Sequence, residues 1–259
     1  MQDKANKTAA LFVTCLADLF RPSVAFAAIK LLQQAGLAVC VPELQTCCGQ
    51  PAYNTGAYRE TRGIARQVIE AFVDFHWVIA PSGSCAGMIK HHYPKLFQED
   101  PEWAARSRDL AERTWEITSF LRDVLQFQPR ELPSGPAAKS YTYHDACAGL
   151  REMGVRQQPR DLLRSLHGIE IRELQQTDVC CGFGGTFCAR MPEISEKMVD
   201  DKLNHALATG AEVLLGGDLG CLLSIAGRAR RRGDKLEVRH VVEVLADMDG
   251  PAGIGDPQR

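Results

Sequence analysis

Eight of the ten cysteines in this 259-residue chain are arranged twice over. Cys15, the triplet Cys47-Cys48-Gly49 and Cys85 occur in the first half; Cys147, the triplet Cys180-Cys181-Gly182 and Cys221 occur in the second. Cys15 precedes Cys47 by 32 positions and Cys147 precedes Cys180 by 33, while Cys48 precedes Cys85 by 37 and Cys181 precedes Cys221 by 40. Four thiolates per repeat are a soft donor set suited to zinc or to an iron-sulfur cluster. Zinc knuckles draw their ligands from compact turns, whereas here three separate loops must converge. Adjacent cysteines crowd one small ion, but a turn eased by the following glycine can aim both sulfurs at different atoms of a cluster. The pattern therefore predicts one or two iron-sulfur sites, of 4Fe-4S type, on Cys15, Cys47, Cys48 and Cys85 and on Cys147, Cys180, Cys181 and Cys221. Zinc in one repeat, and inert buried thiols, are the alternatives.

The elements around these cysteines also repeat. A short apolar run, 9–14, reads as a buried strand ending at Cys15, and a helix over 22–35 starts with Pro22 and stops at Gly36. A strand over 37–41 precedes Cys47, a helix spans 57–75, and a strand over 77–80 runs into the tight turn that ends at Cys85. After a helical, amphipathic stretch at 88–127 the order restarts: strand 139–143, helix 159–166 ended by Gly168, strand 169–174, helix 193–208 and strand 212–215. Two β-α-β-α-β units with the eight repeated cysteines beyond the strand ends predict an α/β fold of two duplicated Rossmann-like lobes, their parallel sheets related by a pseudo-twofold. The expected divisions are a first repeat at 1–127, a proline-rich linker at 128–138, a second repeat at 139–249 and a mobile, turn-rich tail at 250–259.

Composition narrows the function. A formal net charge of -2 gives no field to hold nucleic acid or an anionic membrane surface. No apolar run approaches the roughly 20 residues of a spanning helix, and the first eight residues lack the apolar core of a signal peptide. A reducing cytoplasm is the expected compartment, where paired cysteines more often bind metal or catalyse than form disulfides. No Gly-x-Gly-x-x-Gly follows a strand with an acidic residue about 20 positions on, so a dinucleotide site is not predicted.

Other residues have both a functional and an ordinary reading. His144, three residues before Cys147, is a candidate proton carrier or a loop-ordering group. Gly182-Phe183-Gly184-Gly185 offers backbone N–H groups to an anion, or merely lets the cysteines approach a cluster. Cys40 and Cys188 read as structural, His91 and His92 as a solvated helix face, and the arginines at 228–232 as complements to a helix dipole.

The stretches Cys-Cys-Gly-Phe-Gly-Gly-Thr-Phe, Ser-Gly-Ser-Cys-Ala-Gly-Met, Pro-Ala-Tyr-Asn and His-Asp-x-Cys resemble the cysteine-rich CCG-domain proteins, over about residues 11–246. Within them the chain is most similar to the lactate-utilisation protein A family; wider relatives are the B subunit of heterodisulfide reductase and the iron-sulfur subunits of glycolate and anaerobic glycerol-3-phosphate dehydrogenases. The resemblance implies an iron-sulfur oxidoreductase that works with companion proteins B and C in oxidising L-lactate, a small 2-hydroxy acid, to pyruvate. A zinc- or thiol-bearing scaffold and a thiol-disulfide reductase subunit remain the rival readings. Two positions depart from the relatives. The Cys-x-x-Cys ending of heterodisulfide reductase B is replaced at its first cysteine by Ser82 and Asp218, and a histidine common after the His-Asp-x-Cys cysteine is Ala148 here.

Overall fold

The computed structural model describes residues 8–129, 139–166, 169–250 and 252–256. Its strands are β1 (Thr8–Leu11), β2 (Ala38–Cys40), β3 (Trp77–Ala80), β4 (Thr114–Glu116), β5 (Ser140–His144), β6 (Glu170–Ile171), β7 (Val213–Gly216) and β8 (Glu237–His240). They form two four-stranded sheets of orders β2-β1-β3-β4 and β6-β5-β7-β8, and every pairing is parallel. The duplicated α/β architecture is thus as the repeated cysteine pattern predicts. In each lobe the chain leaves the first strand on one side and returns on the other, so the crevice between first and third strands is a topological switch point. The loops after the first three strands, which carry the cysteines, surround that crevice.

Each sheet has a fourth strand where the sequence reading expects three. Thr114-Trp115-Glu116 lies inside the stretch read as helical; it pairs with β3 through Val78↔Thr114. Glu237-Val238-Arg239-His240 alternates charged and apolar residues too briefly to signal a strand, yet pairs along β7. Both are edge strands, set by the sheet they complete rather than by local propensity. The expected linker at 128–138 falls mainly outside the described residues, as does Gly168. The turn-rich end, expected to be mobile, is docked over 252–256: Ile254 is buried and its N–H donates to Val238 O at 2.8 Å.

Helix contacts between the lobes come in reciprocal pairs. Helix Cys15–Phe20 meets Leu219–Arg232 as Gly83–Gly87 meets Cys147–Arg151, and Pro22–Gln34 meets Val241–Leu245 as Ile117–Ser119 meets Gln157–Arg164. Equivalent elements thus exchange places, as a pseudo-twofold requires. At the closest approach a Cβ on Gly83 would stand 2.6 Å from Gly149 Cα, so the two cysteine-bearing helix starts touch backbone to backbone. The alternation of β1 divides the interior. Ala9 and Leu11 belong to a core shared with the second lobe, whereas Ala10 and Phe12 join Val68, Phe72 and Ile89 in a core confined to the first. The shared core, reached through Val24, Ala28, Leu31 and Leu32 of helix Pro22–Gln34, makes the lobes one folding body.

Candidate metal centre

Each triplet is shaped by its glycine. Gly49 and Gly182 sit at φ of 80° and 83°, a left-handed conformation that ordinary side chains resist. A Cβ at Gly182 would also lie 2.8 Å from both Met198 Cβ and Ser195 O. The turned N–H groups point back at the first cysteine of each pair: Gly49 N is 3.5 Å from Cys47 Sγ, and Gly182 N is 3.4 Å from Cys180 Sγ. The third loop is held by Ser82, whose hydroxyl accepts from Cys85 N at 3.3 Å and caps the following helix.

In the first lobe the sulfurs converge in pairs, Cys15 with Cys47 at 3.5 Å and Cys48 with Cys85 at 3.5 Å. All ten cysteines are free thiols. Thiol hydrogen bonds from Cys15 and Cys48 hold Cys47 well below the usual thiol range, and those from Cys147 and Cys181 do the same for Cys180. The donors Cys15, Cys48, Cys147 and Cys181 move up in turn, through those same hydrogen bonds and burial. Sulfurs close enough to share protons in this way are an arrangement that a cationic centre would relieve. In the second lobe His144 joins: one of its ring nitrogens and the sulfurs of Cys181 and Cys221 lie within 4.8 Å of one another, all three buried. Neither His144 nitrogen has a hydrogen-bond partner. Burial and, next, the Lys202 ammonium push its pKa down to about 3, so the imidazole is neutral near pH 7. The donor chemistry and the orphaned imidazole both fit a metal or cluster at these loops.

Both sets open on one cavity of about 480 Å³ between the lobes. Its wall includes Cys15, Cys47, Cys48 and Cys85 from one side and Cys147 and Cys221 from the other, while Cys180 and Cys181 lie behind. The lobes are joined across its floor: Asp218 accepts from Ser84 N at 2.9 Å and from Ser84 Oγ at 3.0 Å. Burial raises the Asp218 pKa. Ser82 and Asp218 thus serve the first lobe's capping and the inter-lobe seam.

The family model for the cysteine-rich domain matches this chain twice, at residues 9–90 and 141–226, so each match spans one complete set of cysteines. The chain belongs to the cysteine-rich CCG family. Among its members, "Lactate utilization protein A" of Halalkalibacterium halodurans is 46% identical over 235 residues, 91% of this chain and 95% of that protein. "Lactate utilization protein A 2" of Bacillus cereus is 43% identical over 236 residues, 91% of this chain and 96% of that protein. A structure titled as a hypothetical protein from Helicobacter pylori superposes with a TM-score of 0.67 at 11% identity; it covers 95% of this chain, which spans 49% of that longer one, and the likeness is one of fold.

Several residues at the site escape the sequence reading. Arg151 and Glu152 line the cavity one helical turn after Cys147, and Arg151 is the one arginine or lysine among the lining residues. His92, read as solvated, is half-buried in a π-helical turn with its ring 4.7 Å from that of Tyr53, and it reaches Glu152 of the other lobe at 3.4 Å. Lys202 is fully buried on a helix face otherwise occupied by Ser195, Val199, Leu203 and Ala206. A lysine in the apolar phase of a helix was the available signal. Cys40 is half-buried at the end of β2, and Cys188 donates to Gly185 O at 3.2 Å.

Proposed function

We propose that this chain is an iron-sulfur oxidoreductase component of L-lactate utilisation, converting L-lactate to pyruvate with companion proteins of the B and C kind. The observation that supports the reading is that six of the eight repeated cysteines, from both lobes, line one cavity between them; the names of relatives 43% and 46% identical supply the substrate. Cys15, Cys47, Cys48 and Cys85 would hold one centre and Cys147, Cys180, Cys181 and Cys221 the other. When bound, such a centre supplies one-electron transfer. Oxidising a 2-hydroxy acid releases two electrons and two protons; two such centres would take one electron each, and a companion would accept them onward. Arg151, which lines the cavity and donates to Asp178 O at 2.8 Å, would pair with the substrate carboxylate. Among the described residues no helix is long and apolar enough to cross a membrane; a cytoplasmic setting follows from the need to keep eight thiols reduced.

The test is iron, zinc and acid-labile sulfide content of protein purified without oxygen, for the wild type and for Cys48→Ala and Cys181→Ala. Iron with sulfide, falling by about half in each variant with loss of lactate-dependent activity, supports the reading. Zinc without sulfide moves the chain to a scaffold role, and full activity in cluster-free protein removes the mechanism.

A further inference from the structure

The strand registers fix which residues of the two lobes are equivalent. Ala9 stands opposite Trp77 as Tyr141 stands opposite Val213, so Ala10 corresponds to Thr142 and, continuing the strand, Phe12 to His144. The helices behind the triplets align through Thr61 and Ser195, which stand against Gly49 and Gly182 respectively. Seven residues on, Val68 corresponds to Lys202. These three pairs occupy one place: the sheet face behind the cysteine triplet, packed under the following helix. In the first lobe the place is filled by Ala10, Phe12 and Val68, part of one hydrophobic core, with the Phe12 ring 5.6 Å from that of Phe72. In the second it is filled by Thr142, His144 and Lys202.

The second-lobe group is costly as it stands. Thr142 and Lys202 are 0% exposed and His144 is 1% exposed. Thr142 Oγ1 and both nitrogens of His144 lack hydrogen-bond partners. Each such orphan has given up its hydrogen bonds to water without replacement. The first lobe shows that apolar residues serve this position in the same fold, so packing does not explain the histidine. What differs is its direction: a ring nitrogen lies within 4.8 Å of Cys181 Sγ and Cys221 Sγ, the counterparts of Cys48 and Cys85. Resting on the metal-centre reading above, we propose that His144 is a ligand of the second-lobe centre, giving that site four cysteines and one imidazole where the first lobe has four cysteines alone. The two centres are therefore chemically distinct. Lys202 adds a positive charge behind the second centre, its ammonium anchored by donation to Gln176 O at 2.9 Å.

Metal-edge X-ray absorption of anaerobically purified protein tests this, because multiple scattering from a bound imidazole is read whether the metal is iron or zinc. The wild type should show a histidine nitrogen in the first shell, and His144→Phe, which installs the first-lobe residue, should lose it while retaining the first-lobe metal. His144→Asn is the second variant should phenylalanine not be accommodated. Bound metal with sulfur scattering alone in the wild type would overturn the ligand assignment and leave the metal centres standing. An imidazole signal unchanged in both variants would overturn it in favour of another histidine. Protein without metal would overturn both this assignment and the reading it rests on.

Discussion

The two cysteine loops following the second strands are near copies, while the sheet faces beneath them are opposites in polarity. Gly49 and Gly182 share a left-handed φ and turn an N–H toward Cys47 and Cys180 at almost the same distance, 3.5 and 3.4 Å. Beneath them, Phe12 and Val68 face His144 and Lys202 as equivalents. Loop geometry is tightly constrained because sulfurs must converge from three loops; the supporting face is constrained only to be filled. A duplicated fold can therefore keep two similar thiol sets and still give each a different electrostatic environment.

The same contrast appears at the seams between lobes, and there the largest stability effect is expected. Arg21 crosses to Glu243 at 2.8 Å with side-chain exposures of 9% and 0%, and Ser23 adds a 2.6 Å hydrogen bond to the same oxygen. On the other seam Arg122 crosses to Asp161 at 2.8 Å with exposures of 48% and 33%. Removing one partner of a buried pair leaves an uncompensated charge and costs about 3–5 kcal/mol, whereas an exposed pair contributes about 0–1 kcal/mol. Arg21→Met should therefore lower the denaturation midpoint far more than Arg122→Met in urea titrations at pH 7. Equal losses would show that the two seams contribute alike and that burial does not distinguish them.

A smaller effect separates the capping residues of the fourth strands. β4 ends at Glu116 and β8 at His240, equivalent positions that each cap the next helix and lie at the lobe interface. His240 Nε2 donates to Pro81 O of the first lobe at 3.1 Å, and its Nδ1 accepts from Val242 N at 3.3 Å. Burial is the chief cause that pushes its pKa down to about 4 from 6.5. The folded state then binds the proton less readily than the unfolded chain. The stability this contributes is complete above about pH 6.5 and is lost as pH falls toward 4, by about 2 kcal/mol between pH 7 and pH 5. His240→Asn keeps a capping side chain without the titration. Its stability should fall less steeply over that interval in urea titrations; a slope equal to wild type would remove His240 from the acid response.

How much of this was legible in the sequence follows from what each feature depends on. The eight cysteines, their glycines and the strands that deliver them were readable because the pattern occurs twice, and each copy checks the other. The fourth strands were not, since Thr114-Trp115-Glu116 acquires its conformation only from pairing with β3. The docked end was missed for a similar reason: Ile254 is an isolated apolar residue among turn formers and is held by Val238 O and the shared core. Aligning the two repeats for their apolar positions as well as their cysteines would have exposed Lys202 and His144 as polar residues in apolar places. The cavity wall at Arg151 and Glu152 could not be read that way, because it exists only where the lobes meet.

The charge asymmetry behind the two cysteine sets has its own consequence if each set holds the proposed centre. Burial is the chief influence on Lys202 and lowers its pKa, while the negative charges of nearby Cys181, Asp145, Asp178 and Cys180, where ionised, act the other way. A reduced centre carries one more negative charge than an oxidised one, so a nearby cation stabilises reduction. By Coulomb's law at an effective dielectric of about 20, one such charge is worth on the order of 1–2 kcal/mol, or roughly 40–90 mV for a one-electron couple. Lys202→Met should therefore lower one of two potentials in a redox titration of anaerobically purified protein and leave the other in place, without loss of metal. The centre that moves should be the one removed by Cys181→Ala, not the one removed by Cys48→Ala. If both potentials shifted together, the two centres would share one electrostatic environment, and the polarity of the second-lobe face would have no bearing on the direction in which electrons pass between the lobes.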